Sequence, residues 1–197
     1  VNLTFDPQTH RYTLNGQPVP SVTGMIKLVM PREYRDEFAR DRGTAVHMAT
    51  DLEDRGQLDE SSLDERIIPY VNAWRKFKAE AKAKVIHTEM AVGHPLYRYA
   101  GTLDNIVEIG GDMVLVDKKT GDIVPEVQIQ LALYELAYYA TVPKARKIQR
   151  RLAIQLKEDG SYRCHWFDSK HDKQLALSWL TVAQWIKTHN PQQEKGQ

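Results

Sequence analysis

The stretch "AGTLDNIVEIGGDMVLVDKKTG", residues 100–121, constrains this chain more than any other. Two apolar runs flank Gly110-Gly111, a dipeptide suited to the two left-handed positions of a tight hairpin turn. A two-residue turn there pairs Ile109 with Asp112, and the same register carried inward sets Asp104 against Asp117, with Cβ atoms about 5 Å apart. A three-residue loop or a bulge would shift that register by one. Like charges facing each other on a sheet are destabilising, by up to about 1 kcal/mol when exposed and more when buried. Val107, Ile109, Val114 and Val116 make this sheet partly buried, so something must offset the repulsion. A divalent cation between the carboxylates would do so, and oxygen ligation suits Mg2+ or Mn2+. Strand alternation puts Lys119 on the Asp117 side and Lys118 on the other. An ammonium beside two carboxylates can hold an attacking water or stabilise a phosphorane's charge. The same residues admit a plainer reading, in which Asp104 caps a strand and "DKKTG" is a solvated turn.

The rest of the chain supplies layers for this hairpin. "LTFDPQTHRYTLNGQPVPSV" alternates apolar and polar residues with turns at Asp6-Pro7 and Asn15-Gly16, and reads as a small hairpin or meander. A short helix is expected over 22–29, then a charged amphipathic helix starting at Pro31 and running through "REYRDEFARDRGTAVHMATDLEDRG". "SSLDERIIPYVNAWRKFKAEAKAK" reads as a third helix opened by Ser61 or Ser62, with a kink or a late start at Pro69. After Lys84, "VIHTEMAVGH", "YRYAGTLDNIVEI" and "DMVLVDKKT" read as three successive strands. A helix follows in "PEVQIQLALYELAYYAT", then a hairpin from "KIQRRLAIQLK" and "SYRCHWF", then a helix in "DKQLALSWLTVAQWIKTH". Both faces of the central strands are apolar, so the expected fold is a three-layer α/β domain over 1–190, with a central mixed sheet flanked by helices and an N-terminal hairpin. Residues 191–197 read as a flexible tail.

Composition excludes several classes of function. One cysteine, Cys164, rules out an intrachain disulfide and a Cys-based zinc or iron–sulfur centre. The formal charge of +1 gives no global attraction to polyanions, so any such site must come from local clustering. No apolar run is long enough to span a bilayer and "VNLTFDPQTH" has no signal-peptide core, so a cytoplasmic protein without a membrane partner is the expectation.

These residues carry a family resemblance. "GTLDNIVEIGGDMVLVDKKTG" resembles the Gly-x-x-Asp … Asp-x-Lys-Thr-Gly core of the PD-(D/E)XK nuclease superfamily, in its RecB-like branch. Upstream, "RGTAVHMATDLE" is similar to that branch's Gly-x-x-x-His helix through Gly43 and His47. Downstream, "QLALY" is similar to its Gln-x-x-x-Tyr helix through Gln130 and Tyr134. The opening "YTLNGQPVPSVTGMI" also resembles the N-terminal hairpin of phage-encoded and mitochondrial genome maintenance exonucleases. The resemblance implies a restriction-endonuclease-like core and hydrolysis of DNA phosphodiesters with one or two Mg2+ or Mn2+ ions and no iron–sulfur cluster. It implies a metal site of His47, Asp104, Asp117 and the Lys118 main-chain carbonyl, with Glu89 as outer support. Lys119 would orient the water, and Gln130 and Tyr134 would steady it or touch a phosphate. An exonuclease of recombination, repair or end processing, in a bacterial or phage-infected cell, is the implied role.

Each residue also has an ordinary reading. His47 fits a core histidine, Glu89 a surface strand carboxylate, Gln130 a solvated helix residue and Tyr134 a core aromatic. Two basic clusters suit a phosphate-tracking groove or a solvated face: Arg75, Lys76, Lys78, Lys82 and Lys84 in one, Lys144, Arg146, Lys147, Arg150 and Arg151 in the other. Tyr97 and Tyr99, with Trp74 and Phe77, are candidates for stacking on bases or for core packing. Two rival functions are a catalytically inactive nucleic-acid-binding module on the same fold and a structure-specific or nicking endonuclease. An interaction domain with a merely superficial acidic pair is a third. Metal-dependent cleavage of linear DNA, binding without cleavage, or no affinity at all separates enzyme, module and interaction domain.

Overall fold

The computed structural model describes residues 2–31 and 37–189. The expected helix start at Pro31 therefore runs into undescribed residues, and the tail 191–197 lies outside the description. Alternation in the opening segment yields a three-stranded antiparallel meander, β1 (Leu3–Asp6), β2 (Arg11–Leu14) and β3 (Gln17–Val19). α1 (Val22–Val29) follows, with the Ser21 hydroxyl accepting from the Gly24 amide as its N-cap. α2 is described from Glu37 to Asp54 and α3 covers Ile68–Glu80. α3 starts late: Ser61 and Ser62 lie in a 3-10 turn capped by Asp59, and Pro69 takes the first turn of the helix, where its missing amide costs nothing.

Five strands form the central sheet in sequence order: β4 (Lys84–His94), β5 (Tyr99–Ile109), β6 (Asp112–Lys119), β7 (Ile148–Leu156) and β8 (Tyr162–Trp166). All neighbours are antiparallel except β6 and β7, which the crossover helix α4 (Glu126–Thr141) makes parallel. α5 (Asp172–His189) closes the described chain. The sheet is apolar on both faces because helices cover both. On one side Leu103, Ile106, Met113 and Leu115 pack with residues of α1, α4 and α5. On the other, Val107, Val114, Val116 and Leu152 pack with Val46 of α2 and Tyr70, Trp74 and Phe77 of α3. α4 is buried nearly all round, which explains its apolar sequence on more than one face. The meander docks on the sheet through Ala100, whose amide donates to the Pro20 carbonyl at 3.1 Å. Among the described residues, no helix is long and apolar enough to cross a membrane.

Candidate active site

The site begins with the β5–β6 turn. Gly110 and Gly111 take φ of 59° and 93°, the two positive values that a tight hairpin turn needs and that other residues rarely adopt. The register is Ile109 with Asp112 through Asn105 with Val116, which places Asp104 and Asp117 next in line. The ladder stops there. The Asp104 carboxylate, and not the β5 backbone, takes the Lys118 amide, with Oδ2 2.6 Å from the nitrogen. The amide and carbonyl of a strand residue point the same way, so the Lys118 carbonyl also faces this opening.

A second interruption meets it from β4. The pairs Thr88–Asn105 and Met90–Leu103 bracket Glu89, putting it opposite Asp104, but Glu89 has φ of 43° and makes no ladder pair. A left-handed glutamate inside a strand is strained by about 1–2 kcal/mol. Glu89, Asp104 and Asp117 thus occupy one row across three adjacent strands, at the point where regular pairing fails on both sides of β5.

α2 brings His47 over this row. Its Nδ1 lies 3.4 Å from Asp104 Oδ2 and 3.6 Å from Glu89 Oε1. His47, Glu89 and Asp104 offer ligand atoms all within 4.8 Å of one another. Burial pulls the His47 imidazole down, but the charges of Asp104 and Glu89 together outweigh it and leave its pKa raised. Glu89 Oε1 is buried and has no hydrogen-bond partner, a costly state for a carboxylate oxygen unless a cation meets it. One imidazole and two carboxylates are a donor set that fits a divalent cation.

Asp117, only 1% exposed, stands beside this group in a different set of contacts. Lys119 Nζ is 2.7 Å from its Oδ2, Gln130 Nε2 donates to its Oδ1 at 3.0 Å, and Lys119 Nζ donates to Gln130 Oε1 at 3.3 Å. Burial raises the Asp117 pKa; Lys119 opposes this and Asp104 adds to it. Tyr134, one helical turn beyond Gln130, is pushed well above the ordinary tyrosine range by burial and then by Asp104 and Asp117, so its hydroxyl stays protonated. Gly101 gives Tyr134 its place, since a Cβ there would lie 2.7 Å from the ring's Cε1.

The expected site residues divide clearly. His47, Asp104, Asp117, Lys119, Gln130 and Tyr134 converge, and Glu89 lies as near to His47 as Asp104 does. Lys118 turns its side chain to the opposite face, where Nζ donates to the Thr50 hydroxyl at 2.8 Å and sits 5.2 Å over the Trp74 ring. Gly43 faces Thr120 at ordinary contact distance. Two residues outside the sequence expectation join the surroundings: Thr50, which anchors Lys118 to α2, and Arg42, whose Nη2 donates to the Thr120 carbonyl at 3.4 Å. Nothing in their spacing distinguishes them beforehand, apart from Arg42 preceding Gly43.

The basic and aromatic candidates scatter. Arg75 pairs with Glu53 and Glu60, Lys78 with Asp54 and Arg146 with Glu108. Lys76 and Lys144 are exposed. Trp74, Phe77 and Tyr99 belong to the core, and Tyr99 donates its hydroxyl to the Leu133 carbonyl at 2.8 Å, which leaves it no face for a base. Tyr97 is half-buried against His94, with ring centroids 4.5 Å apart.

No protein-family model matches the sequence, and no curated protein matches it significantly. Solved structures do match. A putative exonuclease from Eubacterium rectale aligns over 87% of this chain and 75% of its own, with a TM-score of 0.50 and 14% identity. The chain shares the fold of that exonuclease structure, a mixed sheet flanked by helices. The alkaline exonuclease LHK-Exo from Laribacter hongkongensis, in a structure with dAMP, aligns over 88% of this chain and 94% of its own, with a TM-score of 0.43 and 14% identity. The interrupted row on β5 and the α2 and α4 side chains above it bring these acidic groups together.

Proposed function

We propose that the protein is a divalent-metal-dependent deoxyribonuclease, acting as an exonuclease on linear DNA with Mg2+ or Mn2+. The observation that carries this reading is the convergence of His47, Glu89 and Asp104 next to the Asp117–Lys119–Gln130 triangle. It takes side chains from β4, β5, β6, α2 and α4 to build, and it leaves Glu89 Oε1 without a hydrogen-bond partner. A purely structural acidic cluster would not need the strained backbone at Glu89.

His47, Glu89 and Asp104 would hold the metal, with Asp117 and the Lys118 carbonyl facing the same opening. A bound divalent ion supplies charge for the phosphate oxygens and acidifies a water. The chain's own groups do the rest. Lys119, fixed between Asp117 and Gln130, holds the water's oxygen in line with phosphorus. Asp117, its pKa raised by burial, would accept a proton from that water. The tyrosine hydroxyl at 134, kept protonated, donates to a phosphate oxygen as negative charge grows there. The new P–O bond forms from water and the bond to the leaving deoxyribose oxygen breaks, that oxygen taking up a proton. The preference for DNA ends rests on the family resemblance of the sequence.

The test is incubation of end-labelled single-stranded, duplex and flapped DNA with Mg2+ or Mn2+. Progressive shortening from an end, abolished by chelator and by Lys119→Ala, is the expected result. Binding without cleavage under every metal would mark the inactive module, and internal nicks without shortening would mark an endonuclease.

A further inference from the structure

A second concentration of charge lies on the α4 side of the sheet, toward the start of β7. A cavity of about 270 Å3 opens between 147–151, the β8–α5 connection at 167–170, and α4. Five basic side chains, Lys147, Arg150, Arg151, Lys170 and Lys173, line it with two acidic ones, Glu135 and Asp168, an excess of three positive charges in a chain of net charge +1.

Arg151 sets the chemistry. Its side chain is 7% exposed, yet it is held by three bonds: Nε donates to the Phe167 carbonyl at 3.1 Å, and Nη2 donates to Ser169 O at 3.2 Å and Asp172 Oδ2 at 2.7 Å. These fix the guanidinium plane, and Nη1 is left buried without a hydrogen-bond partner. The Glu135 carboxylate is 3.4 Å from Nη1 but is bound through its other oxygen to Lys173 Nζ at 2.7 Å and the Tyr139 hydroxyl at 3.2 Å. A guanidinium nitrogen that is ion-paired but makes no hydrogen bond, beside further cations and the N-terminus of the 18-residue α5, is suited to an anion with several oxygens. The volume is ample for a phosphate with a few waters.

We propose that this cavity seats a backbone phosphate of the nucleic-acid substrate, outside the catalytic carboxylates. The proposal rests on the nuclease reading for its ligand. The sheet register fixes its position relative to those carboxylates. Arg151 pairs with Leu115, two residues before Asp117 on the parallel neighbour β6, an offset of about 7 Å along the strand.

The test uses Lys147→Ala/Lys170→Ala, two exposed lysines whose loss leaves the Arg151 network in place. A control carries Lys157→Ala/Arg163→Ala, exposed basic residues outside the cavity and outside both basic clusters. Binding of a fluorescent single-stranded oligonucleotide is followed by anisotropy across a salt series in chelator, so that nothing is cleaved. The cavity variant is expected to lower the slope of log K against log salt by about 0.7–1, the share of one phosphate contact, with the control unchanged. Equal slopes in all three proteins would overturn the proposal. In a second arm, inorganic phosphate is added during thermal unfolding. Stabilisation of the wild type but not the cavity variant, with equal DNA slopes, would make this a site for free phosphate and also overturn the DNA assignment. Failure of the wild type to cleave any DNA with metal would instead sink the nuclease reading, leaving the binding result to be read on its own.

Discussion

Replacing Glu89 with glycine should make the metal-free protein more stable while destroying its response to metal. The backbone at Glu89 has φ of 43°, which costs an L-residue about 1–2 kcal/mol and glycine almost nothing. The glycine's freer unfolded chain returns about 0.4–1 kcal/mol of that gain. Removal of a buried carboxylate oxygen with no hydrogen bond adds about 1 kcal/mol or more, less what the contact to His47 at 3.6 Å contributes. The net expectation is about 1–2 kcal/mol of added stability in chelator, or roughly 3–6 °C in melting temperature for a chain of this size. With Mn2+ at a hundred times its Kd, the wild type should gain about 2.7 kcal/mol and Glu89→Gly little, so the two melting curves should exchange order. Thermal unfolding of both proteins in chelator and across a Mn2+ series checks this. A variant that is less stable in chelator, or that keeps the full metal shift, would refute the argument that this residue stores strain for metal binding.

Asp117→Asn should abolish cleavage while leaving DNA binding equal or tighter, since it removes the proton acceptor and a negative charge facing phosphate; gel shift and digestion of one labelled substrate measure both. Thr50→Val keeps the shape of the side chain but removes the acceptor that Lys118 Nζ reaches at 2.8 Å, and should cost about 2–3 kcal/mol in denaturant unfolding, with Thr50→Ser close to wild type. The metal-free protein should lose stability as pH rises from about 6.5. The folded-state pKa of His47 is raised, so its ion pairs with Asp104 and Glu89 contribute fully below the unfolded value and are lost as pH passes the folded one. His47→Gln should flatten that dependence, read from chelator melts over a pH series.

What the sequence disclosed and what it withheld follow the range of the interactions involved. Turn chemistry is local, so Gly110-Gly111 set the register of β5 and β6, and strand alternation separated Lys119 from Lys118. Helical spacing is local too, and Gln130 and Tyr134 could be placed on one face of α4 before any fold was known. The late start of α3 is a competition between Ser61 and Pro69 that spacing does not decide. The ion pairs that neutralise Arg75 and Lys78 come from α2, more than twenty residues away, and depend on how two helices pack. A run of basic residues looks the same in sequence whether or not such partners arrive.

Glu89 shows why a site of this kind resists prediction by pattern. In sequence it is one polar position in an alternating strand, and alternation says only which face it takes. Its distinction is a departure from strand geometry opposite Asp104, at the level where Asp104 itself leaves the β5–β6 ladder to bind the Lys118 amide. A regular sheet at this row would spend its backbone groups on pairing and hold neighbouring carboxylates about 5 Å apart with nothing between them. Opening the ladder on both sides of one strand frees a carbonyl and lets His47 come within 3.4 Å of Asp104. The grouping of these side chains therefore depends on the sheet failing locally, while the hairpin turn at one end and the packed core on both faces keep the failure confined to a single row.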